Sequence, residues 1–596
     1  MPEFQPKFES LVQVFKSSTE KFGDRALFGV KRDGQWQWMT YGEWGDRTRR
    51  LRTALQHLGV QAGDRVAVIA NNSPEWAMGA YASYGLGAAY VAMYESQLDK
   101  EWKHILKDCG AKVLFVANEE IAQRVRNFRD ALPDLKEVIV LSGTPKGGEH
   151  AFADLLQYEA SDLVDPGPGA IADFIYTSGT TGEPKGVRLT HRNLAYNVSA
   201  MHVLLPMEPD DRSLCFLPWA HSFGQTVELH GLLSMGGSLG LAEAVDKIIA
   251  NLAEVKPTLF ISVPRVFNRI YDGLHARMNE EGGLKKKLFE KALETAAERK
   301  RLAAQGKSSA WLDFKFKILD GLVFAKVRER FGGRLKYAFS GGAAISKEVA
   351  EFIDNLGITV YEGYGLSETS PIATANYPGA RKIGSVGKPI PGVEIEIDVS
   401  ATDDPVQGEV LIFGHNIMEG YHNLEKANAE VFVERNGRRG FRSGDMGLID
   451  DEGFLHITGR VKEQYKLLNG KYVVPTPLEE KMKLSPYISN AMVYGMNREF
   501  NVAVVIPDYE ALKNWAAEKG LDPNPASLAK SDELRALIED EVNQFSAEFK
   551  GYEKARKLFI GDEDFTTDNG MLTPTLKLKR RVVLQRYNDA IESLYA

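Results

Sequence analysis

Short runs of apolar residues, each closed by a polar or glycine-rich turn, recur along the first two-thirds of the chain and alternate with stretches of helical period. From Asp64 the pattern predicts a strand VAVIA, a turn NNSPE, a helix to about Tyr84, a strand AAYVAMY, a helix through Trp102 and Ile105, and a strand KVLFVA. Strand-length apolar runs separated by helical stretches predict parallel βαβ units with both sheet faces covered. After the glycine-rich patch SGTPKGGEH the alternation resumes with FIYT, SLCFLP, TLFISV and LKYAFSGG. Several of these strands run straight into polar turns, which is where open α/β sheets hold their ligands.

Between Tyr271 and Lys336 the pattern becomes helical and basic, in KKKLFEKALETAAERKRLAAQGK and WLDFKFKILDGLVFAKVRERF. A solvated helical insertion is the plainer reading. The alternative is a surface that meets anionic lipid, with Trp311, Phe314, Phe316, Leu319 and Leu322 alternating with lysines on an interfacial helix. Beyond about Gly392, short strands EIEID, GEVLIF and FLHIT between Gly and Asp turns predict a β-rich subdomain. From about Arg460, AMVYG and VAVVIP join a helical pattern from Ser531 to Phe549, as in a separate small α+β domain.

With 596 residues, 44% hydrophobic, the chain has material for a sizeable core and several domain-sized units. The formal net charge of -8 argues against nucleic acid as a partner and confines any basic function to local patches. The two cysteines, Cys109 and Cys215, lie far apart in apolar surroundings, so neither a disulfide framework nor a cysteine-rich zinc site is expected. The first residues, MPEFQPKFESLVQVF, lack the order of a secretory signal, and no uninterrupted apolar run reaches membrane-spanning length. A cytoplasmic protein is expected, at most peripheral on the inner membrane face.

The densest chemical signal is YTSGTTGEPKG, Tyr176 to Gly186. It is not the P-loop of nucleoside triphosphatases, because Pro184 and Gly186 flank Lys185 where that motif needs glycine and a hydroxyl residue. Its physical logic is still that of an anion nest: backbone N–H groups in a glycine-rich turn, several hydroxyls and a mobile ammonium. Four further stretches carry more polar chemistry than packing requires: FLPWAHSFG (216–224), SGGAAIS (340–346), YGLSETS (364–370) and FRSGDMG (441–447), followed by TGRVKE (458–463).

In this order and at these separations the motifs resemble the adenylate-forming superfamily of acyl-CoA synthetases, adenylation domains and luciferases, over nearly the whole chain. FLPWAHSFGQ, VPRVFNRIYDG, the helical insertion and LTPTLKLKRR are most similar to the long-chain fatty acyl-CoA synthetases. The resemblance implies an α/β fold: a large N-terminal domain over 1–460, with the insertion at about 271–336 and the β-rich subdomain at about 392–459, and a small mobile domain over 461–596. It implies a two-step reaction, in which a carboxylate attacks the α-phosphate of ATP and coenzyme A then takes the acyl group from the adenylate.

Carried over residue by residue, the resemblance puts Thr177, Ser178, Gly179, Thr180, Thr181, Gly182 and Lys185 on the β and γ phosphates, and Glu368 on magnesium. Gly341, Gly342, Ala343, Gly363, Tyr364, Gly365 and Ser367 form the adenine and phosphate slot, and Asp445 takes the ribose hydroxyls with help from Arg460. His221 lies beside the α-phosphate and the acyl carboxylate. Lys577 is the mobile catalytic lysine, although Leu576 precedes it where the family has glycine, which leaves Lys579 as a rival. Lys462 is the hinge, with Lys466 and Gly470 serving the thioester step. Trp219, Phe223, Val263, Phe267 and Phe339 are candidates for an apolar acyl tunnel and equally ordinary core residues. Three other readings stay open: a fatty acyl-AMP ligase, a ligase for another carboxylic acid, and a non-enzymatic scaffold binding nucleotide or lipid at a membrane.

Overall fold

The computed structural model describes residues 4–177, 183–401, 405–573 and 577–596. Two large mixed sheets dominate the first part of the chain. In the eight-stranded sheet, strands Val113–Asn118, Arg65–Ile69, Ala89–Met93 and Ile171–Thr177 run parallel, as their apolar runs predict, and Lys185–Thr190 and Gly420–Tyr421 extend one edge antiparallel. The nine-stranded sheet centres on the parallel strands Ser238–Leu241, Arg212–Cys215, Leu259–Ser262, Tyr337–Ser340 and Thr359–Gly365. Its edges are antiparallel, one of them a hairpin of Ala26–Arg32 and Gln35–Thr40 whose Trp-rich strand gave no clear signal in sequence.

One large core joins the two sheets through the helices Leu11–Lys21, Tyr41–His57, Pro74–Tyr84 and His191–Leu204, with Trp44, Trp76, Tyr81 and Trp219 wholly buried. The glycine-rich stretch joins two antiparallel strands, with Thr177 in register opposite Lys185. A P-loop instead passes from strand into helix.

Glu394–Asp398, Gly408–Phe413, Phe432–Arg435, Arg438–Ile449 and Leu455–Arg460 form the antiparallel β-rich sheet. The last portion is an α+β unit in which Ile488–Tyr494, Asn501–Pro507 and Ala555–Ile560 form a three-stranded sheet. Leu478, Met482, Val505, Leu534 and Ile538 pack one of its faces. Lys481 reaches across to pair with Glu348 of the large unit.

The helical insertion begins at Pro264, seven residues ahead of the expected Tyr271, because proline at the first helical position costs no hydrogen bond and presets φ. Helices Pro264–Glu281, Gly283–Ala304, Ala310–Leu319 and Ala325–Arg330 follow one another. Phe316 and Leu319 do not belong to an exposed face. Phe316 lies under the Arg299 guanidinium at 5.0 Å, and Leu319 is buried against the insertion's own core. Among the described residues no helix is long and apolar enough to cross a membrane.

Candidate active site

The side of the site expected to meet phosphate starts from the strand pair just described. Ser178, Gly179, Thr180, Thr181 and Gly182 lie outside the described residues, while Thr177 and Lys185 hold the two ends of the loop in register. The Lys185 ammonium stands 5.0 Å from the centroid of the Tyr421 ring, and the Tyr421 hydroxyl donates to Glu368 Oε1 at 2.7 Å. Burial and the Glu368 charge push the Tyr421 pKa up, so the phenol stays a donor. Gly420–Tyr421 pairs with Val187 and Arg188, and the Asn428 side chain accepts from the Tyr421 N–H at 2.7 Å. Tyr421 thus couples the phosphate-loop lysine to the acidic residue of YGLSE. Sequence reasoning passed it over.

Glu368 sits in the single turn Ser367–Thr369, anchored by Met418 N–H donating to its carbonyl at 2.8 Å. Its Oε2 has no partner among the described residues. No group of three or more His, Cys, Asp or Glu side chains able to hold a metal occurs among them either. A hard divalent cation here would take one carboxylate oxygen and complete its shell with phosphate and water, a donor set that suits magnesium.

Strand Thr359–Gly365 carries Gly363, Tyr364 and Gly365 to the same cleft. Tyr364 donates to Asp445 Oδ2 at 2.7 Å, and Arg460 Nε lies 3.2 Å from Asp445 Oδ1. Asp445 and Arg460 are cross-strand partners in the β-rich sheet, so the register of two adjacent strands makes the pair. Burial raises the Asp445 pKa against the opposing pull of Arg460, whose own pKa is raised chiefly by Asp445. The loop after Tyr337–Ser340 brings Gly341 and Gly342. A β-carbon at Gly341 would stand 3.0 Å from the Phe223 ring, and Gly342 has φ +82°, where glycine is favoured. Ala343 is exposed beside them.

His221 and Lys577 face each other across this cleft. The His221 Nδ1 accepts the Phe223 N–H at 3.2 Å, which leaves Nε2 as the protonated nitrogen of the neutral ring. Burial, reinforced by the Lys577 charge, lowers the His221 pKa to about 4. The Ser222 and Ser367 hydroxyls meet at 3.2 Å, tying FLPWAHSFG to YGLSETS. Lys577 is clamped by its backbone: its N–H donates to Thr573 Oγ1 at 3.0 Å and its carbonyl accepts from the Thr573 N–H at 2.8 Å. The residue is exposed, with Arg460, Asp445, Glu368 and Glu463 near enough to act on its charge. Desolvation, then Arg460, lowers its pKa, while Asp445, Glu368 and Glu463 pull it back up. Lys579 exerts no comparable pull on His221 or Asp445.

Of the tunnel candidates the structure gathers three. Phe223 lies on Gly341, Val263 Cγ1 would be 3.9 Å from a β-carbon on Gly342, and Phe339 immediately precedes this loop on its strand. Trp219 lies deeper in the same core as Phe339, against which Phe223 and Val263 also pack, whereas Phe267 belongs to the neighbouring core. Trp219 packs between Phe28 and Trp76, at 5.8 and 5.5 Å between ring centroids, and Phe267 packs edge-on to Phe260. Lys462 is exposed in the turn closed by the Glu463 N–H donating to the Arg460 carbonyl at 3.2 Å. Lys466 and Gly470 come together on the small hairpin of Tyr465–Lys466 and Tyr472–Val473, with the Lys466 ammonium 4.7 Å from the Tyr472 ring centroid.

Residues 15–422 match the model of the AMP-binding enzymes, and residues 462–596 match that of the AMP-binding enzyme C-terminal domain. The chain belongs to the AMP-binding enzyme family. It is 35% identical over 577 residues to the long-chain-fatty-acid–CoA ligase FadD15 of Mycobacterium bovis, covering 94% of this chain and 93% of that one. It is 31% identical over 626 residues to the peroxisomal long chain acyl-CoA synthetase 7 of Arabidopsis thaliana, covering 99% and 87%. The fold of this AMP-binding enzyme is also that of the adenylation domain of a carboxylate reductase from Mycobacterium chelonae. The TM-score is 0.80 and the identity 24%, with 99% of this chain and 92% of that one covered.

Proposed function

We propose that the enzyme is an ATP-dependent long-chain fatty acid:CoA ligase that forms an acyl-adenylate and then an acyl-CoA, releasing pyrophosphate and AMP. The observation that carries this reading is the convergence of Lys577, His221, Glu368 and the Asp445–Arg460 pair on one cleft, with Lys185 tied to Glu368 through Tyr421. Likeness to curated long-chain ligases over most of the chain supports it.

In the first half-reaction an acyl carboxylate, already ionised at neutral pH, attacks the α-phosphorus of ATP and pyrophosphate leaves. Two anions must approach, so fixed positive charge and donors have to stand where charge builds up. Lys577 is placed to bridge the carboxylate and the α-phosphate, and Lys185 to hold the leaving phosphates. His221, neutral and with Nε2–H outward, donates a hydrogen bond rather than taking a proton. Asp445 accepts from the ribose hydroxyls while Arg460 favours its charged form against the effect of burial, and Gly341 and Gly342 let the adenine approach the backbone. Magnesium, held at Glu368, would neutralise phosphate charge. Rotation of the small domain about Lys462 would then withdraw Lys577 and bring the Lys466–Gly470 hairpin to the thioester step. A substrate so insoluble is met at a membrane or a micelle, and peripheral contact with the cytoplasmic membrane face belongs to this reading.

Product analysis after incubation with palmitate, ATP, magnesium and coenzyme A is the test, alongside Lys577→Ala. Palmitoyl-CoA and AMP are expected from the wild type, with adenylation lost in the variant. Adenylate without thioester identifies an acyl-AMP ligase, and turnover of only shorter or aromatic acids a different acid ligase. Nucleotide binding without any turnover identifies a scaffold and refutes the proposal.

A further inference from the structure

The helical insertion leaves Trp311, Phe314, Ile318 and Leu322 exposed, by 67, 63, 47 and 52%. Their spacing of three, four and four residues puts them on one stripe along Ala310–Leu319 and the turn after it. Large apolar side chains gathered on one exposed face mark an interaction surface, whereas the same residues scattered singly need no explanation.

The charges around the stripe say what covers it. Lys315, Lys317 and Lys326 make no ion pair among the described residues. The nearby acids are engaged elsewhere: Asp313 with Arg299 at 2.6 Å, Asp320 with Arg328 at 2.7 Å, and Glu294, close enough to feel the Lys315 charge, with Lys291 at 2.8 Å. Residues 283–330 hold 13 basic against 6 acidic side chains, a local +7 in a chain of net charge -8. Between the Gly283–Ala304 and Ala310–Leu319 helices lies a cavity of about 190 Å³ whose polar lining is Arg299, Lys300, Lys307, Ser308, Ser309 and Asp313; Arg299 is paired with Asp313 and Lys300 with Asp354, which leaves Lys307 without an ion pair among the described residues. A second copy of the chain docked face to face would set lysines against lysines, which is unfavourable. An anionic bilayer offers hydrocarbon to the stripe and phosphate to the lysines.

We propose that the face formed by Trp311, Phe314, Ile318 and Leu322 docks on an anionic phospholipid bilayer, with headgroup phosphates at the flanking lysines and at Lys307 of the adjoining cavity. The insertion starts from Val263, at the edge of the proposed adenine slot, so the helix Pro264–Glu281 leads from the candidate active site into the insertion that carries this face. The proposal deepens the ligase reading by naming where a lipid acid is met, and rests on it for the identity of the substrate alone.

The test is sedimentation of the full-length enzyme with phosphatidylcholine vesicles, with and without phosphatidylglycerol. It compares wild type, Phe314→Ser/Ile318→Ser, Lys315→Glu/Lys317→Glu and a control, Val164→Ser, at an exposed apolar residue elsewhere. Wild type and control are expected on the anionic vesicles, with partitioning lowered at least about tenfold in both double variants. Melting temperature and turnover of water-soluble octanoate should be unchanged, which excludes misfolding. Absence of wild-type binding, equal partitioning of the variants, or indifference to the anionic lipid overturns the proposal. So does a wild-type dimer in light scattering that disappears in Phe314→Ser/Ile318→Ser, because a second copy then covers the face. Failure of the ligase reading shows separately, as intact partitioning with no acyl-CoA formed by any form of the enzyme.

Discussion

Replacing Tyr421 with phenylalanine removes one hydroxyl and keeps the ring beneath Lys185. The lost contact is the 2.7 Å hydrogen bond that fixes Glu368 Oε1. A hydrogen bond to a charged group contributes about 1.5–3 kcal/mol net, and Glu368 is half-buried, so water replaces part of it and the lower end applies. Reasoning from order gives the same size, since a freed glutamate must give up about 1.5 kcal/mol of rotamer freedom when it binds a metal–nucleotide complex. Either route predicts affinity for Mn²⁺·ATP weakened roughly tenfold. Titration calorimetry or manganese paramagnetic resonance reads this directly, without turnover. ATP binding measured in a chelator should change little, because the Lys185–ring contact survives. Equal or tighter metal–nucleotide binding would show that Tyr421 competes with the cation for Glu368. An equal loss in the chelator would show that the hydroxyl serves the fold. Either result refutes the positioning role.

His221 is neutral throughout the working range, so the pH profile of adenylation should lack a limb near 6.5; such a limb that vanishes in His221→Asn would overturn the donor role. Buried Asp173 accepts from Tyr84 and Gln225, and desolvation lifts its pKa to about 7. Its folded pKa therefore lies above the unfolded value near 4, and the stability it contributes is fully present below pH 4 and lost as pH rises through 7. That is about three pH units, or about 4 kcal/mol at most, so Asp173→Asn should gain stability relative to wild type between pH 5 and pH 8 in denaturant titrations. A difference that does not change with pH would contradict this. Lys462→Pro stiffens the turn after Arg460 and should spare pyrophosphate release while slowing acyl-CoA formation at least about tenfold; equal loss of both half-reactions removes the hinge assignment.

Parts of this molecule can be read directly from sequence because the signal is local. Strands such as Arg65–Ile69 and Asn501–Pro507 are apolar runs buried on both faces, and each glycine-rich motif falls at a strand end or turn. What escaped depends on distant partners. Tyr421 lies 53 residues from Glu368, and nothing in MEGYH marks it; only strand pairing with Val187 and Arg188 brings it into the site. Phe267 looks like any apolar lining residue until the fold assigns it to a different core from Trp219 and Phe339. Helical period finds an apolar stripe in the insertion but not which side meets protein, so Phe316 and Leu319 were expected outside and Ile318 was overlooked. The proposed choice of Lys577 over Lys579 likewise rests on geometry that sequence does not show, the backbone clamp to Thr573 and the nearness of its charge to His221.

The pairing of Asp445 with Arg460 has a consequence for timing. Arg460 is the last rung of the β-rich sheet and also the first residue of the turn that closes on Glu463. In the proposed reaction the grip on the ribose would therefore be riveted to the β-rich sheet at the very point from which the small domain would depart. Were that domain to swing, Lys577 would travel while the ribose anchor stayed still. The adenylate would then wait in place between its two reactions, and a labile mixed anhydride need never be released to water.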